Sequence, residues 1–215
     1  MKKLGKLVAT LLLPVVFLVG CNGAKLPEVI DSPTASISED GQITYWLVGQ
    51  FDEDYYEVSE LSQMAIEEAK AFNESWNGKI TGSEGEIAPV SVANVEELAN
   101  GNGTVVVTYQ FGNWQSYNEF LKVYKNDSEL FYGSVGEAAL KGYSAKVTLK
   151  SVKDDSSFTE EQMKQATDKY IIITDLKANI YCPGKVAYIS EGAKVNSDGS
   201  IDTTGVDGLA YIMLK

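Results

Sequence analysis

Three pairs of closely spaced aspartates are the residues of this chain best suited to acid–base chemistry. A glycoside hydrolase needs two carboxyl groups across a cleft, one of them with a raised pKa. The chain has 30 acidic residues among 215, so some of them fall close together by chance. The first pair is also explained as the end of a strand and the cap of the following helix. A carboxylate-dependent glycan- or peptidoglycan-active enzyme therefore stays an alternative, and the pairs are Asp52 with Asp54, Asp154 with Asp155, and Asp202 with Asp207.

A second candidate is the loop at residues 196–202, which resembles the second half of an EF-hand calcium loop. Asp198 precedes a glycine, and an isoleucine follows two places after that glycine. Calcium takes about six to eight oxygen ligands, so both ends of such a loop matter. Lys194 occupies the first ligand position and Gly205 the twelfth, and neither supplies a carboxylate. A glycine-assisted turn between two strands is the favoured interpretation, and we expect no metal site.

The basic residues and the histidine count exclude several classes of function. All 18 basic residues are lysine, and the chain has neither histidine nor arginine. Without histidine no Ser-His-Asp or Cys-His nucleophile system and no His-ligated zinc site can form. Without arginine there is no bidentate clamp for phosphate or carboxylate. Cys182 has no histidine to activate it and is expected to be a half-buried core thiol. The net charge of −12 also repels nucleic acid, so we expect no catalytic residue, no cofactor and no nucleic-acid partner.

Aromatic residues offer the remaining candidate for binding. The adjacent Tyr55 and Tyr56 stand at the start of a predicted helix, and exposed tyrosines provide rigid contact area with a polar tip. We predict a ligand surface at this pair, with packing at the edge of the core as the open alternative. Trp114, Tyr117 and Tyr124 follow helical spacing, which favours core packing over a binding platform.

The N-terminus combines positive charge with a short apolar stretch. Three lysines among the first six residues precede residues 7–19, which are almost wholly apolar. Thirteen residues are too few to cross a bilayer, which takes about 20, but they suit a secretory signal peptide. The stretch ends in Leu-Val-Gly-Cys at residues 18–21, which resembles the lipobox of bacterial lipoproteins. The resemblance implies cleavage before Cys21, attachment of diacylglycerol to its thiol and anchoring to the cell membrane.

Three regions follow from this reading of the chain. Residues 1–20 are the expected signal peptide, residues 21–41 a lipidated N-terminus with a flexible tether, and residues 42–215 a single domain. Proline, glycine and small polar residues in 22–41 support the tether. Cleavage removes three lysines and no acid, so the mature chain has a net charge of −15.

The elements of the domain are predicted from hydrophobic periodicity. One helical face over residues 55–76 predicts an amphipathic helix, and apolar β-branched runs predict most of the other elements as strands. The connections between these strands are too short for parallel crossovers. We therefore expect an α+β fold: a mainly antiparallel sheet with one long amphipathic helix and several short helices packed on it. The strands are predicted at residues 43–51, 104–110, 129–134, 145–152, 170–174, 178–182, 186–190 and 208–214.

Two segments of the chain show a weak internal similarity. A strand that ends in Gln50-Phe51 is followed by an acidic turn and a helix. A strand that ends in Gln110-Phe111 is followed by a polar turn and a helix. A duplicated unit stays open, because two matched residues establish little.

The mature region resembles small clostridial-type lipoproteins of unknown function. The resemblance rests on residues 43–56, on residues 132–138, and on residues 183–186 together with the terminal 211–215. It implies a Gram-positive source with low genomic GC content, in keeping with lysine as the only basic residue. The group has no activity to transfer, so the resemblance implies no catalytic residue.

The sequence thus favours a membrane-anchored extracytoplasmic lipoprotein, a non-enzymatic binding or envelope protein of unknown ligand. Its expected partners are the membrane, through the lipid on Cys21, and an extracytoplasmic ligand or protein. A solute receptor for a transporter is disfavoured, because such receptors are usually larger and two-lobed.

Overall fold

The computed structural model describes residues 26–51, 57–80, 87–99, 103–123 and 128–215. Within these residues the chain forms two sheets and four helices. The strands of the seven-stranded sheet are, in spatial order, β11 (Lys194–Val195), β12 (Ile201–Asp202), β9 (Asn179–Tyr181), β1 (Thr34–Ile37), β2 (Ile43–Gln50), β4 (Thr104–Phe111) and β3 (Val90–Glu97). Those of the six-stranded sheet are β5 (Leu130–Ser134), β8 (Tyr170–Thr174), β13 (Ala210–Leu214), β10 (Val186–Ile189), β6 (Leu149–Ser151) and β7 (Ser157–Phe158). The helices are α1 (Val58–Ser75), α2 (Trp114–Val123), α3 (Val135–Leu140) and α4 (Glu160–Gln165).

The expected α+β class is wrong, because the described chain is mostly β. Two sheets of seven and six strands replace the single sheet with helices packed on it, and two of the four helices have only six residues. Open twisted sheets rarely exceed about ten strands without splitting into two packed sheets. The short apolar runs of this chain supply more strands than one sheet accommodates, so the strands bury their faces sheet against sheet.

Pairing is antiparallel throughout both sheets except between β1 and β9, which run parallel. The longest ladder joins β2 to β4, from Ile43 opposite Phe111 to Gln50 opposite Thr104. The strand predicted at 104–110 is β4, and its run of valine, threonine and aromatic residues is buried at every position but Gln110.

The helix expected at 55–76 begins at Val58 and ends at Ser75. Ala65, Ala69 and Phe72 are its buried residues, and their spacing of four and three places them on one face against β3. Glu57 precedes the helix without a capping hydrogen bond from its side chain.

Residues 34–37, assigned by sequence to the flexible tether, form β1 between β2 and β9. Ala35 and Ile37 are 0% and 2% exposed, and the Asn179 amide donates to the Pro33 carbonyl at 3.0 Å. The alternation of alanine and isoleucine with Thr34 and Ser36 is a strand signal that the neighbouring prolines and serines obscure. Any tether to an anchor at Cys21 therefore ends near Ser32, not at residue 41.

Two apolar cores form around the six-stranded sheet. The larger core lies between the sheets and includes Ile43 and Phe111 from the seven-stranded sheet, Ile172 and Ile212 from the six-stranded sheet, and residues of α1 and α2. The smaller core covers the opposite face of the six-stranded sheet, where Ile171, Ile173 and Met213 meet α3 and α4. None of the described helices is long and apolar enough to cross a bilayer.

Candidate ligand-binding cavity

A cavity of about 150 Å³ opens in the smaller core. Its floor is the outer face of the six-stranded sheet, and α3, α4 and the segment after α3 surround it. Aliphatic and thioether side chains make up most of the wall, which includes Val135, Ala138, Ala145, Met163, Ile171 and Ile173. Apolar clefts with a few polar groups are the usual form of a small-molecule site.

Local sequence explains why both helices start where they do. Ser134 and Glu137 form a capping box at α3, and Thr159 and Gln162 form one at α4. Each box satisfies backbone N–H groups that a short helix would otherwise leave unpaired.

Backbone hydrogen bonds tie the start of α3 to the segment after α4. Val135 donates to the Lys169 carbonyl at 2.8 Å, and Gly136 donates to the Thr167 carbonyl at 3.0 Å. These bonds hold the two sides of the cavity together at one end. The remainder of α4 is held by a single buried side chain, that of Met163.

Two tyrosines close the cavity beside the sheet. The Tyr143 hydroxyl donates to the Glu129 carboxylate. Burial, followed by that carboxylate, raises the pKa of Tyr143, and burial also raises the pKa of Tyr211. Both phenols therefore stay uncharged at neutral pH, and the ring of Tyr143 is packed against Phe131 with 5.2 Å between centroids.

The polar lining residues are exposed to solvent and belong to the rim. They are Ser144, Lys164 and Thr167. The Lys164 ammonium donates to the Glu160 carboxylate at 2.6 Å, one helical turn away, and this contact raises the pKa of Lys164. The only charged residue of the lining thus already has a partner outside the cavity.

None of the described residues that the sequence singled out for function lines this cavity. The lipid-attachment residue Cys21 and the tyrosine pair Tyr55 and Tyr56 lie outside the described residues, as do Asp52 and Asp54. Their predicted roles stay predictions.

The described acid pairs serve as turn acceptors. Asp154 accepts from the backbone and hydroxyl of Ser156 at 3.0 and 2.5 Å, and Asp202 accepts from those of Thr204 at 2.8 and 2.6 Å. These hydrogen bonds lower the pKa of both carboxyl groups, whereas a general acid needs a raised one. The partner acids Asp155 and Asp207 do not line the cavity either.

The loop expected to be a turn and not a calcium site holds Asp198 by internal hydrogen bonds. Its carboxylate accepts from the Tyr181 hydroxyl at 2.5 Å and from the backbone and hydroxyl of Ser200 at 2.9 and 2.7 Å. The loop joins β11 to β12. Among the described residues no group of three or more acids and cysteines is placed to hold a metal ion.

Cys182 and the described aromatic residues at helical spacing, Trp114 and Tyr117, pack against the cores. Cys182 is half-buried against the larger core, and burial raises the pKa of its thiol to about 12, which keeps it protonated at neutral pH. Tyr117 is fully buried between the sheets, and Trp114 contacts Phe131 edge to face with centroids 5.3 Å apart. Tyr124 lies outside the described residues.

Sequence reasoning missed the cavity because alanine, valine and methionine carry no chemical signal of their own. The helix start at Thr159 was visible in the sequence, and so was the Ser134-to-Glu137 spacing of a capping box. Neither motif indicates that the two short helices meet over one sheet.

Comparison with protein-family models, with curated proteins and with solved structures finds no match for this chain. The assignment of the cavity therefore rests on its own geometry.

Proposed function

We propose that this protein is an extracytoplasmic lipoprotein, anchored through Cys21, that binds a small ligand in the cavity beneath α3 and α4. The observation that carries the binding role is the cavity of about 150 Å³ with its largely apolar wall. Well-packed cores contain few voids larger than a water molecule, and the atoms lining a space of this size lose packing contacts that a bound ligand would restore.

The pKa values of three aspartates favour a binding role over the carboxylate-dependent enzyme. The carboxyl groups of Asp154, Asp198 and Asp202 have lowered pKa values because hydroxyl and amide groups donate to them. A carboxyl group with a lowered pKa is a poor proton donor at neutral pH.

The anchor suits a domain that stands off from the membrane. About ten residues separate Cys21 from Ser32, which corresponds to a reach of about 20 Å for a flexible chain. The mature net charge of −15 repels anionic lipid, so the domain is held near the surface without lying on it.

The proposal is tested on the full chain expressed in a Gram-positive host. Mass spectrometry of the peptide that begins at Cys21 should show a diacylglyceryl group, and the Cys21→Ser chain should lack it. An unmodified Cys21 in the wild-type protein would contradict the anchor.

Native mass spectrometry of the same preparation tests binding. A small molecule should co-purify with the wild-type chain and be lost from Ala138→Leu, which fills the cavity. Ala71→Leu adds the same carbons at an exposed site on α1 and should retain the molecule. Hydrolysis of an envelope polymer that is abolished by replacing one aspartate would instead support the enzyme.

A further inference from the structure

We infer that the cavity takes an uncharged molecule, or an uncharged part of one, with an apolar body about the size of a benzene ring. This inference rests on the proposed binding function and names the class of its ligand.

The volume sets the size of the ligand. Engineered apolar cavities of about 150 Å³ stay dry and bind benzene. The cavity of this protein has the same volume but opens to solvent at its rim, so a six-carbon ring fills it and a fused three-ring system would extend past the rim.

The lining sets the charge of the ligand. Lys164 is the only charged residue of the lining, and its ammonium is bonded to Glu160. Glu129 lies behind Tyr143, whose hydroxyl occupies one of its carboxylate oxygens. A charged group inside the cavity would therefore lose its hydration without gaining a partner.

The side chains around the cavity favour an aromatic body over an aliphatic one. Tyr143, Met163 and Tyr211 line the same space. Aromatic rings pair edge to face, and sulfur makes favourable contacts with ring edges at about 5 Å.

A polar substituent has a place at the rim. Ser144 and Thr167 are exposed there and carry hydroxyl groups that can donate or accept.

Methionine methyl resonances give a direct test on the full chain in nanodiscs, with empty nanodiscs as the reference. The Met163 methyl group lines the cavity, whereas Met64 is 57% exposed on α1 and serves as an internal control. Toluene, benzyl alcohol, benzoate and benzylammonium form a probe series that keeps the ring and changes the charge.

We expect toluene and benzyl alcohol to shift the Met163 resonance and to leave Met64 unchanged. Benzoate and benzylammonium should bind at least tenfold more weakly. Ala138→Leu should abolish the shift and Ala71→Leu should preserve it. Should Ala138→Leu fail to fold, Met163→Ala provides a second test, since the enlarged cavity should bind naphthalene more tightly than the wild type, read from ligand-detected spectra.

The outcomes separate the two proposals. Tight binding of benzoate that Ala138→Leu blocks would overturn the uncharged class and leave the binding function intact. Absence of any Met163 shift, together with no gain for naphthalene in Met163→Ala, would overturn this inference. If a small molecule still co-purifies with the wild-type chain and is lost from Ala138→Leu, the proposed binding function stands although the ligand class is wrong. If no molecule co-purifies either, the binding function and the ligand class are both contradicted.

Discussion

Among single residues, three titratable groups in or against the larger core have pKa values raised by burial. The Tyr117 hydroxyl is buried without a hydrogen-bond partner, and its ring meets Tyr45 and Phe111 edge to face with centroids 5.7 and 5.1 Å apart. Burial raises the pKa of Tyr117 well above 10.0, that of Tyr45 to about 12 and that of Cys182 from 9.0 to about 12. The folded state therefore holds protons that the unfolded chain releases.

Alkaline pH should destabilise the protein through these groups. A group with a raised folded pKa contributes its full stability below its unfolded pKa and loses it as the pH rises towards the folded value. The free energy of unfolding should thus fall from about pH 9 to about pH 12. Urea titrations of residues 22–215 at several pH values measure this slope.

Tyr117→Phe should make that slope less steep by about 1.4 kcal/mol per pH unit. At pH 7 it should be neutral or stabilising, since it removes an unpaired buried hydroxyl. Tyr170→Phe is the control, because Tyr170 is 51% exposed. Identical pH slopes for all three chains would show that Tyr117 ionises without unfolding the protein.

Among the elements, asparagine side chains on α1 and α2 bond the backbone of two of the four edge strands, β3 and β5. Asn73 on α1 donates to the Val90 carbonyl at 2.8 Å and accepts from the Val90 amide at 3.0 Å. Asn118 on α2 does the same with Leu130, at 2.9 Å for both bonds. Edge strands expose unpaired backbone groups, so each amide occupies a site where another chain could pair.

These asparagine hydrogen bonds occur at equivalent places in the two segments whose sequences are weakly similar. The β2–α1–β3 and β4–α2–β5 segments each run from a central strand through a helix to an edge strand. Gln50-Phe51 and Gln110-Phe111 stand at the ends of the two central strands, and the helix asparagine bonds the first residue of the edge strand in both segments.

Asn118→Ala should cost about 1–3 kcal/mol of unfolding free energy, because it leaves both backbone groups of the buried Leu130 unpaired. Asn118→Asp should also be destabilising at neutral pH, because it keeps the acceptor for the Leu130 amide but places a carboxylate oxygen against the Leu130 carbonyl. Denaturant titration provides the measurement, with the exposed Asn77→Ala as the matched control. Equal stability of the Asn118→Ala and Asn77→Ala chains would show that the Asn118 hydrogen bonds do not stabilise the fold.

In the molecule as a whole, the seven-stranded sheet is continuous only because β1 joins β9, β12 and β11 to β2, β4 and β3. β1 pairs with β2 on one side and with β9 on the other, and β9 carries β12 and β11 with it. The N-terminal segment that the sequence assigns to a tether thus completes the central ladder of the protein.

Truncation should separate the tether from the strand. Removal of residues 22–31 should leave the melting temperature within a few degrees. Removal of residues 22–38 deletes buried Ala35 and Ile37 and should lower it by at least about 5 °C or abolish the cooperative transition. Circular dichroism melts measure both. A chain without residues 22–38 that melts like the longer one would show that β1 does not hold the sheet together.

Local elements were largely predictable from the sequence, and their assembly was not. The face of α1 at Ala65, Ala69 and Phe72 and the valine-rich β4 follow from side-chain spacing within one segment. β1 was missed because four residues between prolines and serines give too short a pattern. The division into two sheets was missed because strand pairing joins residues far apart in the chain, as Thr34 pairs with Asn179.

Residue types and their spacing along the chain establish which chemistry the chain lacks and which segments prefer helix or strand. Both follow from residue type and short-range spacing, and the lipid anchor at Cys21 is predicted on the same basis. That Ala138, Met163 and Tyr211 share one cavity follows from the folded arrangement alone. These residues come from α3, α4 and β13, and an apolar space between distant segments exists only after the sheet that joins them has formed.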